Sequence, residues 1–177
     1  MTTPLPTTPT SRAADWWASP GGQDAGRHRH RRAGRPGVTG SGRPVVLHIV
    51  AAVVVRDGRF LLVRKRGTSA FMQVGGKIEP EERPLDALVR EVEEEIGVAL
   101  DADAVRPLGR FRATAANEPG HVVDAHAFDV DLPPGAEPRP LAELAELVWV
   151  DPASPVAPLP IAPLSLDLIA AWTERHA

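Results

Sequence analysis

The chain of 177 residues contains no cysteine and no tyrosine, and only two lysines, Lys65 and Lys77, against 18 arginines. Without cysteine there is no disulfide framework, no thiol nucleophile and no zinc–thiolate site. The preference for arginine over lysine reflects compositional bias rather than chemistry. Long apolar runs are also missing. The longest, Val45 to Val55, is interrupted by His48 and falls far short of the ~20 residues that span a bilayer. The first twenty residues mix Thr, Pro and Ala with charges and hold no apolar segment of the kind a signal peptide needs, so the expected location is the cytoplasm. No G-x-x-x-x-G-K-[ST] phosphate loop occurs, which removes the common NTPase fold, and no internal repeat is present.

The formal net charge of −3 hides an asymmetry. Residues 1–43 hold seven arginines against Asp15 and Asp24, a balance of +5; the rest holds 13 basic and 21 acidic residues, a balance of −8. An acidic domain argues against a nucleic-acid surface, yet it can bind anions through bridging cations. Residues 1–43 read as a disordered basic tail, with Pro4, Pro6 and Pro9 among threonines and an aperiodic run from Gly26 to Gly37. Arg27, Arg29, Arg31 and Arg32 suit either a solvated tail or contact with nucleic acid or anionic lipid. His28 and His30 are too isolated to argue for a metal site.

A folded domain is expected over 44–177. The β-branched run from Val45 to Val55 predicts a buried strand. Asp57-Gly58 is a strong hairpin signal, with Arg59–Arg66 returning as a second strand. Arg64 and Arg66 share one face by the period of two, where they either hold a substrate phosphate beside the glycine turn or keep an edge strand soluble. Phe71 either stacks on a base or plugs the core. Two further strands, Val105–Ala115 and His121–Val130, flank a turn at Asn117–Gly120. Asp124 and His126 share a face, either as a dyad or as a polar strand side. After a proline-rich loop, Leu147–Val150 reads as a strand approached through Glu143 and Glu146. Leu164, Leu168, Ala171 and Trp172 then mark a C-terminal amphipathic helix.

The most informative stretch runs from Gly75 to Val98. Pro84 suits a first helical turn and Gly97 a left-handed helix end. Leu85, Leu88, Val89, Val92 and Ile96 form one apolar stripe. Glu91, Glu94 and Glu95 are spaced to leave one side of this helix. A solvated acidic face is the plain alternative, but two costs count against it. Glu91 and Glu95 are a like-charge i,i+4 pair worth roughly 0.2–0.5 kcal/mol of repulsion. All three also crowd the helix C-terminus, where the macrodipole disfavours negative charge. Clustered carboxylates at unfavourable positions suit Mg²⁺, a hard cation that takes oxygen ligands.

Gly76, Glu82, Arg90, Glu91, Val92, Glu94, Glu95, Gly97 and Val98 reproduce the complete spacing of the Nudix hydrolase signature. Seven fixed letters coincide by chance with a probability below about 10⁻⁸ per start position. The chain therefore resembles a Nudix hydrolase, although Val74 stands where relatives commonly have proline. The element order and the resemblance both imply an α+β fold, an α/β/α sandwich with a mixed β-sheet between the signature loop–helix and the C-terminal helix.

The resemblance implies hydrolysis of the diphosphate linkage of a small-molecule nucleoside diphosphate derivative, with Mg²⁺ as cofactor and Mn²⁺ as a substitute. The candidates are a nucleoside triphosphate, ADP-ribose or another sugar nucleotide, and a dinucleoside polyphosphate. Carried over by position, Glu91, Glu94 and Glu95 are metal ligands, with the Gly75 carbonyl completing the shell. Arg90 orients the glutamates, Glu82 supports the loop and Lys77 neutralises phosphate. The general base is Glu95 or Glu146, the latter by position in the loop before the last strand, with Glu143 as second choice. Two competitors are a nucleotide-sensing Nudix module that regulates a partner, and an isomerase of prenyl diphosphates. The intact glutamates weigh against the first and the missing cysteine against the second. Oligomeric state stays open.

Overall fold

The computed structural model describes residues 44–153 and 159–177. The expected basic tail, with its arginine cluster, Trp16 and Trp17, lies outside the described residues. The elements in chain order are β1 (Val45–Arg56), β2 (Arg59–Lys65), α1 (Pro84–Ile96), a short 3₁₀ turn (Ala102–Ala104), β3 (Val105–Thr114), β4 (His121–Val130), β5 (Leu144–Val150) and α2 (Pro163–Arg175). The strands form a mixed sheet in the order β3-β4-β1-β2-β5. β1 and β4 run parallel from Val45 opposite His121 to Val54 opposite Val130, and the other pairings are antiparallel.

Alternation along the strands sends side chains to two cores. Val50, Ala52, Val54, Leu61, Val63 and Phe128 pack with Ala87, Leu88, Val92 and Ile96 of α1. Ala51, Val53, Phe60, Ala125 and Ala127 pack with Leu164 and Leu168 of α2. A helix on each face makes the expected α/β/α sandwich, an α+β arrangement. The Asp57-Gly58 turn carries positive φ at both residues, 51° and 73°, the backbone a tight two-residue hairpin requires. α1 begins with Pro84 and ends on Gly97, left-handed at φ 70°, whose N–H bonds the Glu93 carbonyl.

β1 and β2 pair directly only beside their turn, at Val55–Phe60 and Arg56–Arg59. Further along they part, and residues 71–78 fill the gap as a wedge. Met72 pairs with Val63 in both directions, and Val50 and Ala52 donate to the carbonyls of Gly76 and Val74. Gly75 is obligatory here: at φ 147°, a Cβ would lie 2.1 Å from the Val50 carbonyl oxygen.

One expectation changes. β5 starts at Leu144 rather than Leu147, so Glu146 lies inside the strand, opposite Arg64, and not before it. Of the two readings of Phe71, the core one holds: it is buried with Leu62 and Val150. No helix among the described residues is long and apolar enough to cross a membrane.

Candidate functional site

The wedge and α1 together bring the signature residues into one region, but the three helix carboxylates do not share one environment. Glu95 follows Leu88 at i+7 and Val92 at i+3, so it belongs to the inward stripe, and the residue is 1% exposed. Its Oε2 accepts from the Gly75 N–H at 3.0 Å. Its Oε1 makes no hydrogen bond of good geometry and faces the Lys65 ammonium at 3.3 Å. Burial pushes the Glu95 carboxyl up to about 7, and the Gly75 N–H and Lys65 only partly offset it.

Glu91 is half-buried against the wedge. A Cβ on Gly76 would sit 2.3 Å from its Oε1, so glycine at this position is what admits the carboxylate. Glu94 is 57% exposed at its side chain. The three carboxylates expected on one side of the helix thus differ in depth: Glu95 is buried, Glu91 half-buried and Glu94 exposed.

Arg90 is the hub. It forms a two-pronged ion pair with Glu82, with Nε–Oε1 and Nη2–Oε2 both at 2.9 Å. It also donates to Glu91 Oε1 at 2.8 Å, Glu94 Oε2 at 3.4 Å and the Lys77 carbonyl at 3.2 Å. Donation from Arg90, with the Glu79 N–H, holds the Glu82 carboxyl down at about 2, and Arg90 itself is pushed above its ordinary value, chiefly by Glu82. The geometry fits a fork that ties the loop to the helix.

A cavity of about 390 Å³ opens beside this cluster. Its polar end holds Lys65, Glu91, Glu143 and Lys77 with Gly75 and Gly76; its apolar floor includes Leu47, Ile49 and Ala51. Lys65 continues the parity of Leu61 and Val63, facing α1, and its Nζ lies 2.7 Å from Glu143 Oε1. Burial pulls the Lys65 ammonium down, but its pairs with Glu143 and Glu95 outweigh that and leave it raised.

Arg64 and Arg66 take the opposite parity and do not line this cavity. Arg64 is held by Glu146 at 2.9 Å and the Thr68 carbonyl at 3.0 Å, and Arg66 bonds the Ala142 carbonyl at 2.5 Å. Glu146 is likewise absent from the lining, which includes Glu143 in its place. Asp124 is engaged by Arg110 in a two-pronged pair at 2.9 and 3.1 Å. Sequence reasoning passed over Lys65, and the available signal was its place two residues after Val63.

The donor set suits a hard divalent cation. It offers only oxygen ligands, including the buried Glu95 Oε1 without a hydrogen bond and the Glu91 carboxylate seated on Gly76. Among the described residues no three acidic or histidine side chains converge in this geometry, because Arg90 holds Glu91 and Glu94 while Lys65 holds Glu95.

Comparison with known proteins agrees with these features. The NUDIX domain family model matches residues 46–172. A CTP pyrophosphohydrolase from Escherichia coli K12 is 31% identical over 137 residues, covering 75% of this chain and 95% of the relative. The solution structure of the Escherichia coli ORF135 protein aligns at a TM-score of 0.58 with 28% identity, over 76% of this chain and 93% of that one. The MutT NUDIX hydrolase from Burkholderia pseudomallei aligns at a TM-score of 0.61 with 24% identity, over 71% and 97% respectively, a likeness of fold.

Proposed function

The chain belongs to the NUDIX family of pyrophosphohydrolases, and from that premise we propose that it hydrolyses a nucleoside triphosphate to a nucleoside monophosphate and pyrophosphate, using Mg²⁺ or, as a substitute, Mn²⁺. The catalytic domain is residues 44–177, with 1–43 as an appended tail. The observation that carries the reading is a cavity lined by Glu91 of the signature, by the glycine turn that Glu95 anchors, and by both charged and apolar residues. The triphosphate suggestion draws on the name of the CTP pyrophosphohydrolase relative.

Glu91, Glu94 and Glu95 would hold the cation, with the Gly75 carbonyl beside them. When bound, such a cation neutralises diphosphate charge, polarises the phosphorus–oxygen bond and lowers the pKa of water. The remaining roles belong to the chain. Arg90 and Glu82 brace the loop against α1 and orient the glutamates. Lys65 and Lys77 supply positive charge at the phosphate end. Water attacks one phosphorus, the bridging oxygen leaves with the electron pair of the broken bond, and the water proton passes to a carboxylate. Glu143 lines the cavity, paired with Lys65, which supports giving it that role; Glu146 pairs with Arg64 outside the cavity.

Pyrophosphate release from a panel of nucleoside triphosphates and diphosphate sugars, run with Mg²⁺, with Mn²⁺ and with chelator, tests the proposal. Glu94→Gln should abolish metal-dependent turnover while leaving the fold intact, since Glu94 is exposed and its charge is locally unfavourable. Near wild-type turnover in that variant would refute the ligand assignment. Nucleotide binding without turnover by the wild type would move the reading to a sensor.

A further inference from the structure

Of the polar side chains that line the cavity and that the hydrolytic reading leaves unused, two are buried, Gln73 and Ser165. Gln73 is 6% exposed, and neither its Oε1 nor its Nε2 has a hydrogen-bond partner among the described residues. Ser165 is 1% exposed and its Oγ is likewise unpartnered. Both line the cavity, whose apolar floor is built by Leu47, Ile49, Ala51 and Val123 of β1 and β4, with Leu164 of α2 alongside.

The placement follows from parity. Met72 and Val74 of the wedge turn toward α1 and pack in its core, so Gln73 between them faces the α2 side. Ser165 lies in the first turn of α2, which also bounds the cavity. Two elements remote in sequence therefore bring a carboxamide and a hydroxyl to one apolar slot. Buried amides are almost always satisfied, because an unpaired one forfeits its hydration with no return. A core glutamine has no reason to stay unpaired among aliphatic neighbours, whereas one that waits for a ligand has.

Resting on the hydrolase reading above, we propose that Gln73 and Ser165 are the specificity-determining pair for the nucleotide's base. The base lies on the aliphatic floor, as every nucleobase has a flat apolar face. The Gln73 carboxamide, with an acceptor edge and a donor edge, pairs with the adjacent donor and acceptor on the base's Watson–Crick edge. Ser165 Oγ adds a further hydrogen bond. The diphosphate then extends toward Gly75, two residues on from Gln73, and the charged end.

The test separates this pair from the chemistry. Cytidine, uridine, guanosine and adenosine are titrated into full-length protein in chelator, where no phosphate or metal contributes. The tightest binder should lose at least tenfold in affinity in Gln73→Leu and several-fold in Ser165→Ala. The ratio of kcat/KM for its triphosphate to that for ribose 5-triphosphate should fall at least tenfold in Gln73→Leu. The Tm of that variant should rise by a few degrees, since the unpaired amide is gone. Failure of the wild type to bind any nucleoside, unchanged affinity in Gln73→Leu, an unchanged kcat/KM ratio, or a lowered Tm with both substrates lost in parallel would each overturn the proposal. A nucleoside bound through Gln73 whose triphosphate is not hydrolysed would uphold the pair and refute the hydrolase reading. A hydrolysed triphosphate with unaltered discrimination in Gln73→Leu would do the reverse.

Discussion

At the scale of single residues, Glu95 decides most. The same carboxylate closes the inner stripe of α1, anchors the glycine turn through the Gly75 N–H and faces Lys65. With no cation bound, its carboxyl is pushed up to about 7 in the fold, against an ordinary 4.5. The folded state then holds a proton that the unfolded chain has released, so this group makes stability fall as pH rises from about 4.5 to about 7, by about 3 kcal/mol in all. His126, depressed chiefly by burial, slopes the opposite way below its ordinary 6.5. The informative quantity is therefore the difference between wild type and Glu95→Gln. Denaturant unfolding in chelator at pH 5 and pH 7.5 should show the variant gaining on the wild type toward the higher pH; equal slopes would contradict the burial argument.

Residue-level legibility was uneven for a physical reason. The period of two correctly put Arg64 and Arg66 on one face, but β2 is apolar on both sides because a helix or loop covers each. No polar alternation marks which face meets the site, and that face belongs to Lys65. Gln73 and Ser165 carried no pattern at all, since an unpaired buried amide exists only in three dimensions.

At the scale of elements, the bounds of α1 were legible, since the Pro84 start and the Gly97 end are local signals that the structure keeps. Leu88, Val92 and Ile96 of the stripe are buried as expected, while Ala87 and Glu95 rather than Val89 complete the buried face. The bounds of β5 were not legible. Leu141, Leu144 and Leu147 are three apart and mimic a helical stripe, while the strand is settled by non-local pairing of Arg64 with Glu146 and Val63 with Leu147. That register has a functional consequence. It binds Glu146 into an exposed ion pair with Arg64, and the bulge between Arg64 and Lys65 leaves Glu143 to Lys65 at the cavity. Glu143→Gln should lower kcat/KM by roughly 10²-fold, the order expected of a proton acceptor. Glu146→Gln should change it by no more than about fivefold, the equivalent of the roughly 1 kcal/mol that an exposed ion pair contributes at most. Steady-state kinetics on the two variants side by side check this, and the reverse order would return the role to Glu146.

For the molecule as a whole, the sandwich and its layer order followed from the sequence pattern, whereas the clasp that seats α2 did not. Trp172 meets Phe60 edge-on at 5.3 Å, stacks on His176 at 4.0 Å and donates from Nε1 to Asp129 Oδ1 at 2.8 Å. Asp129 is buried, with His176 Nε2 3.4 Å from its other oxygen. Trp172→Phe keeps an aromatic ring but removes that donor, which should cost about 1–3 kcal/mol in denaturant unfolding while kcat/KM is retained. A variant as stable as the wild type would show that the clasp contributes only packing.

The wedge of residues 71–78 ties these scales together. It supplies the missing middle of the β1–β2 ladder, and it also carries Gln73, Gly75, Gly76 and Lys77 along the cavity. Substrate preference and the cohesion of the sheet are thus written on the same eight residues. A lineage drifting toward a new substrate through this segment would have to renegotiate its own fold at each step, whereas the β3–β4 turn beside the cavity is free to vary. Divergence in preference should therefore accumulate at the rim first and in the wedge last.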